Sequence, residues 1–270
     1  MSEQVETESP LLVERRGHVA VLTFNRPDRR NAINRAMRKA IKSELWKADA
    51  DPDVRVIVIT GAGTAFSSGV DLPEALTGPA PKTEGTTPTQ VLRAVTKPVI
   101  AAVNGPCYTG AFEFATNCSF IIASDRAVFS DTHAKIGLLN GWGGSAMLPR
   151  AVGLPAAIQI ILSGDPVDSA TALRIGLANE VVPHDDLLER TLEIADSIAE
   201  SHPGAVQRML RLLKEGAGSS TAHALGLEAE AAASFKPDNK DIGARYGKRQ
   251  PPKSGVASQD SEEEPAADSV

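Results

Sequence analysis

The chain has 270 residues, with 28 Lys and Arg against 34 Asp and Glu, which gives a formal charge of −6. A composition of 42% hydrophobic and 23% charged residues is that of an ordinary globular chain, long enough for one large core or two small ones. The negative balance excludes nucleic acid as the default partner, because phosphate binding needs a basic field. Residues 251–270 hold five acids and one lysine, so a local basic patch for a small anionic ligand remains compatible with the total.

In chain order, MSEQVETESP is polar and acidic and reads as a frayed terminus without signal or transit character. Residues 11–15 and 18–24 predict two strands joined at Arg16-Gly17, and Asn25-Arg26-Pro27-Asp28 predicts a turn. Residues 33–49 predict a helix with Ile33, Met37, Ile41, Leu45 and Ala48 near one face. The β-branched run at 54–60 reads as a buried strand and leads directly into the Gly-rich 61–69. Residues 77–89 predict a mobile surface loop, 97–105 a buried strand, and 119–129 a strand with a turn at Ser124-Asp125. Helices are predicted over 151–163, 168–175, 185–200, 203–215 and 221–235, and a disordered acidic tail after Pro251. No apolar run approaches the roughly 18–20 residues of a membrane span. Cys107 and Cys118 are read as reduced thiols, and five scattered histidines offer no metal site. A cytoplasmic protein without membrane attachment is expected.

The Gly-rich segments do not match nucleotide loops. GAGTAF has Phe66 where a dinucleotide fingerprint needs its third glycine, and neither GxxxxGK[ST] nor GxSxG occurs. More informative are two strand-to-loop transitions, VRVIVIT-GAGTAFSSGVDL and KPVIAAVNGPCYTGAFEFA. Each ends a buried strand in a glycine-containing turn that could aim a backbone N–H into a cleft, and two such donors on one oxygen make an oxyanion hole. The second transition also opens a helix, whose dipole favours negative charge at the same point. Glu113 lies one turn along that helix, in the company of Ala111, Phe112, Phe114 and Ala115, where a carboxyl can serve as acid or base.

Taken together, VAVLTFNRPDRRNAIN (19–34), VRVIVITGAGTAFSSGVDL (54–72), TKPVIAAVNG (96–105), IGLLNGWGGSAMLPRAVG (136–153) and ILSGDPVDSATALRIGLANEVVP (161–183) resemble the crotonase superfamily, also called the enoyl-CoA hydratase/isomerase family. The likeness runs from about residue 11 to about 215. It implies an α/β fold with a ββα spiral core over 11–200 and a helical C-terminal region over 201–250, ahead of the 251–270 tail. It also implies an acyl-CoA thioester substrate, a homotrimer or homohexamer, and no cofactor beyond the coenzyme A that is part of the substrate.

By motif position, the family's two oxyanion-hole amides resemble those of Val70 and Gly110. The first of the two glutamates that flank a water in the family's hydratases corresponds to Glu113. The second corresponds to His133, a departure; an imidazole can hold a water or deliver a proton, and Asp131 is a candidate to orient it. Gly141 stands where decarboxylating, ring-closing and dehalogenating members carry Asp, so those chemistries are disfavoured. Arg26 and Arg30 are implied at the coenzyme A phosphates, Ala65, Ser67, Ser68 and Asp71 beside the thioester, and Trp142 at the acyl pocket. The expected activity is hydration of a trans-2-enoyl-CoA to a 3-hydroxyacyl-CoA. The alternatives are isomerisation or another crotonase reaction using Glu113, or a catalytically weak acyl-CoA-binding protein.

Overall fold

The computed structural model describes residues 9–77, 86–236 and 238–249. Most of the expected frayed start, most of the expected 77–89 loop and the whole acidic tail fall outside them. The chain divides into two compact units, residues 1–217 and 218–270.

The first unit is built on a six-stranded sheet in the order β1-β2-β3-β4-β6-β9, from β1 (Leu11–Arg16), β2 (Val19–Phe24), β3 (Val56–Gly61), β4 (Val99–Val103), β6 (Phe120–Ser124) and β9 (Glu180–Val182). Only the β1–β2 hairpin is antiparallel; the other four pairings are parallel. Parallel strands need both faces covered, which is why β3 and β4 read as unbroken apolar runs. One face carries Ala20, Leu22, Ile57, Ile59, Ala101 and Val103 into the main core. The other carries Val19, Val21, Val56, Val58, Ile100 and Ala102 against Leu187, Ala195 and Ala199 of α8 (Leu187–Ala199). β1 exposes every residue after Leu11 and blunts this edge with Glu14, Arg15 and Arg16.

A second sheet of short strands, β5 (Pro106–Tyr108), β7 (Val128–Ser130) and β8 (Val167–Asp168), runs alongside. Single-residue parallel bridges, Ser67 to Cys107 and Ile33 to Val70, extend the same pattern through the earlier turns of chain. Each coil is thus a strand in the large sheet, a short extended piece beside the next one, and then a helix: α1 (Arg35–Ala50), α2 (Leu72–Thr77), α4 (Gly110–Thr116) and α5 (Gly144–Val152). This is the expected ββα spiral.

Several boundaries differ from the sequence reading. The helix expected from residue 33 begins at Arg35, because the Asn34 side chain caps it by accepting from Met37 N at 2.9 Å. Ile33 is buried, but in its bridge to Val70. α3 (Pro88–Ala94) cuts into the expected loop, held by a capping box between Thr87 and Gln90 with proline at its start. The single strand expected over 119–129 is two, β6 and β7, each in a different sheet. The helix expected over 151–163 is likewise two, α5 and α6 (Leu154–Ser163), broken at Gly153 (φ +78°). α7 (Ser169–Arg174) and α9 (Pro203–Gly216) complete the first unit. The second unit holds α10 (Thr221–Ser234), capped by Ser220, and α11 (Asn239–Arg249), which falls inside the helical region implied over 201–250 but has no separate helix predicted for it.

Candidate active site

The spiral brings the ends of three coils to one point. Glu113 stands on α4, fully buried at 2% exposure. The 140–144 segment crosses it and donates two backbone hydrogen bonds to the same carboxylate oxygen, Trp142 N to Oε1 at 2.8 Å and Gly144 N to Oε1 at 2.9 Å. Gly144 is the first residue of α5, where helix N–H groups lack internal acceptors, and Trp142 lies two residues ahead of it. Oε1 is therefore fixed, and Oε2 is left to face the other side. There His133 Nε2 lies 3.7 Å away, too far for a direct hydrogen bond and close enough for both atoms to reach one water.

His133 follows β7 and precedes a 3-10 turn, Ala134–Ile136. Asp131 Oδ1 accepts from both its backbone N (3.1 Å) and its Nδ1 (2.6 Å). Asp131 Oδ2 accepts from Asn140 Nδ2 at 2.6 Å. The Asp131 hydrogen bond is the largest influence on His133 and holds the imidazole above its ordinary value of 6.5, against the opposing effect of burial. For Asp131, burial pushes the carboxyl up, but the bonds from His133 and Asn140 together outweigh it and hold the group below 3.8.

This pair links stability to pH. A raised imidazole contributes fully below about 6.5, and its contribution is lost as the pH climbs through the raised folded value. A depressed carboxyl contributes above about 3.8, and its contribution is lost as the pH falls through the lowered value. The urea midpoint of the wild type should exceed that of His133→Gln most between about pH 4 and 6.5, with the gap narrowing on the alkaline side. A gap of constant size from acid to alkaline pH would contradict the assignment.

Two backbone amides border the same point. Ile33 pairs with the Val70 segment through Gly69 O (2.7 Å) and Asp71 N (3.2 Å), which leaves the Val70 N–H outside that pairing. Gly110 is the first residue of α4, ahead of any intrahelical acceptor. A Cβ placed on Gly110 would lie 3.1 Å from Val70 Cγ2 and 3.4 Å from the Trp142 ring, so the three residues are in contact range. The turn into α4 is strained: Thr109 has φ 49° and ψ −118°, a region that side-chain-bearing residues seldom occupy and that is enriched at functional sites.

A surface depression of about 510 Å³ opens next to Val70, lined by Arg26, Arg29, Ser68, Val70 and Asp71 among others. Val70 lines this depression and also lies within contact range of Gly110, at the start of the helix that carries Glu113. Arg26 is already engaged, donating to Ala32 O (2.6 Å) and to Asp71 Oδ2 (2.9 Å). That hydrogen bond is the main reason the Asp71 carboxyl sits below its ordinary value. Asp71 also caps α2 through Glu74 N. Arg30 is exposed and does not line the depression; Arg29, passed over in the sequence, does. Ala65 and Ser67 are buried beneath the loop, where Ala65 O accepts from Asn31 and Ser67 Oγ accepts from Gly69 N.

Three further polar residues were not visible in the sequence. Asn117 donates to Glu113 O (2.7 Å) and Trp142 O (3.3 Å), and Arg93 binds Asn117 Oδ1 (2.6 Å). They tie α4 to the 140–144 segment. Asn140 is the third. Burial pushes the Cys107 and Cys118 thiols up, so neither supplies a thiolate nucleophile. Among the described residues, no group of three His, Cys, Asp or Glu side chains could hold a metal ion, and no helix is long and apolar enough to cross a membrane.

Residues 14–251 match the sequence model of the enoyl-CoA hydratase/isomerase family. A probable peroxisomal enoyl-CoA hydratase of Arabidopsis thaliana is 34% identical over 236 residues, covering 86% of this chain and 89% of the relative. A probable enoyl-CoA hydratase of Mycobacterium bovis is 37% identical over 227 residues, covering 81% and 86%. The crystal structure of an enoyl-CoA hydratase from Mycobacterium tuberculosis superposes with a TM-score of 0.71 at 40% identity, covering 83% of this chain and 97% of the other.

Proposed function

The chain belongs to the enoyl-CoA hydratase/isomerase family, and we propose that it adds water across the 2,3 double bond of a trans-2-enoyl-CoA to give a 3-hydroxyacyl-CoA. The observation that carries this reading is the placement of Glu113 Oε2 opposite His133 Nε2 at 3.7 Å, beside the Val70 and Gly110 amides. A water held between the two side chains is the nucleophile. Glu113 takes its proton as the oxygen bonds to the β-carbon, and the electron pair moves to the thioester oxygen. That oxygen gains charge only as the reaction proceeds, which is where preorganised N–H donors at Val70 and Gly110 have their effect. The imidazolium of His133 then protonates the α-carbon, and the proton on Glu113 returns to His133 through the next water.

The depression at Arg26, Arg29 and Asp71 suits the phosphates and adenosine of coenzyme A. Arg29 takes the place that sequence position gave to Arg30, and Arg26 serves by bracing Asp71. Trp142 borders the acyl end. The chemistry asks for no cofactor. A homotrimer or homohexamer is supported by α6, which exposes Leu154 (61%), Ile158 (48%) and Leu162 (68%) along one face. A cytoplasmic location fits two unpaired cysteines.

The test follows the loss of conjugated enoyl-thioester absorbance with crotonyl-CoA and a long-chain 2-enoyl-CoA, with products weighed by mass spectrometry. The expected product is heavier than the substrate by one water. Binding of CoA esters with no water added to either substrate would replace this reading with isomerisation or acyl-CoA binding.

A further inference from the structure

Asn140 has no part in the reaction as drawn above, yet its position is tightly determined. It lies between the 3-10 turn at Ala134–Ile136 and α5, nine residues from Asp131, and its Nδ2 is 2.6 Å from Asp131 Oδ2. Space for it is made by Gly144: a Cβ there would fall 2.7 Å from Asn140 Nδ2 and 3.1 Å from Glu113 Oε1. The same backbone thus accommodates the carboxylate of Glu113 and the amide that reaches Asp131.

We infer that Asn140 and Asp131 are positioning residues that lock His133 as the Nδ1–H imidazole with Nε2 turned to Glu113, so that this protein hydrates its substrate with a carboxylate base and an imidazole acid in place of two carboxylates. This rests on the hydratase reading. Asp131 Oδ1 can only accept, so at 2.6 Å the proton between it and His133 belongs to Nδ1. The Asn140 amide is 3.4 Å from Nδ1 as well, a distance at which it would compete as donor only if Nδ1 were bare. Its shorter bond to Oδ2 fixes the plane of the Asp131 carboxylate and keeps Oδ1 on the imidazole. The proton delivered to the α-carbon therefore leaves from Nε2 and nowhere else. The charged groups facing His133 are Asp131 on its own segment and Glu113 on α4; α6, packed against the 3-10 turn, contributes none.

The test is a double-mutant cycle with a readout that does not need turnover. Asp131→Asn keeps the shape and an acceptor for the His133 backbone, and is expected to lower kcat about 100-fold with KM within about twofold, in the range of a mispositioned acid–base group. Asn140→Ala is expected to lower kcat roughly tenfold, the effect of one hydrogen bond to a charged group. In Asp131→Asn the alkaline limb of the kcat profile moves to lower pH, because the carboxylate that holds the imidazole up is gone. In a His133→Gln background, Asp131→Asn should cost less than about twofold more, because the residue it acts through is gone. An equal loss in both backgrounds would make Asp131 a loop tether and overturn the inference. Histidine labelled with 15N, with His133 assigned by its loss in His133→Gln, should show the Nδ1–H tautomer when neutral, and a mixture in Asp131→Asn. An unchanged tautomer also overturns the inference, and it does so even if the wild type adds no water, the outcome that would sink the hydratase reading alone.

Discussion

Glu113→Gln is expected to lower kcat for hydration by about 10³–10⁴-fold while leaving the affinity for an acyl-CoA within a few-fold, because general-base catalysis contributes up to that range. Glutamine preserves the shape, and the surrounding donors decide which way its amide turns. Trp142 N and Gly144 N both point at Oε1, so the amide carbonyl must take that place. The amide NH2 then faces His133 Nε2 across the 3.7 Å gap. The position that held a proton acceptor becomes a donor, facing a ring whose charged form donates as well. Both the base and the anchor for the water are lost in one atom change. Glu113→Ala is a poorer probe, since it orphans two buried N–H groups at about 1–3 kcal/mol each and confounds chemistry with stability. Turnover would be followed by enoyl-thioester absorbance and affinity by calorimetry. Retention of more than about a tenth of wild-type kcat would remove Glu113 from the role of base.

The parts of this molecule legible in its sequence are those where one physical constraint acts on consecutive residues. β2, β3 and β4 are covered on both faces, and their apolar runs say so directly. The face of α1 shows as Met37, Ile41, Leu45 and Ala48, all buried. Elements of two or three residues, such as β5, β7 and β8, are too short to have a period, and exist because a neighbouring coil lies beside them. The α3 boundary was readable: Thr87, Pro88 and Gln90 spell a capping box, and the loop composition around them hid it. At the site, motif order pointed to Glu113, His133, Val70 and Gly110, which the fold gathers. It missed Asn140, Asn117 and Arg93, whose meaning lies in partners four to forty-nine residues away. That Arg29 and not Arg30 lines the depression has a backbone cause. Arg30 and Asn31 adopt φ of 48° and 55°, which turns the chain at Arg30 and lets Asn31 bury its side chain among Arg26 N, Ala62 O and Ala65 O.

Gly69→Ala is the second large effect, and it separates the loop's geometry from its chemistry. Gly69 has φ +92°, and an added Cβ would lie 1.9 Å from Thr109 Oγ1 and 2.7 Å from Tyr108 O. The threonine hydroxyl could rotate away, but the Tyr108 carbonyl is backbone, and Tyr108 is locked to Ser67 O through its own N–H at 3.0 Å. The clash must therefore push the 67–71 segment away from 108–110, the two stretches that hold the Val70 and Gly110 amides. Positive-φ strain of about 1–2 kcal/mol adds to an overpacking cost of about 1–3 kcal/mol. For a domain of this size that total corresponds to a melting temperature lower by roughly 5–15 °C. Separation of the two donors should lower kcat by at least about 100-fold, as loss of one oxyanion-hole donor does elsewhere. Gly17→Ala is the matched control: its φ is +56°, and nothing lies within 4 Å of the added Cβ. It should carry the strain cost alone and leave kcat unchanged. If Gly69→Ala lost stability as Gly17→Ala does and kept its turnover, the 67–71 and 108–110 segments would not be the paired donors of the reaction. Glu113 and His133 would then have to act on a thioester whose charge is stabilised somewhere else.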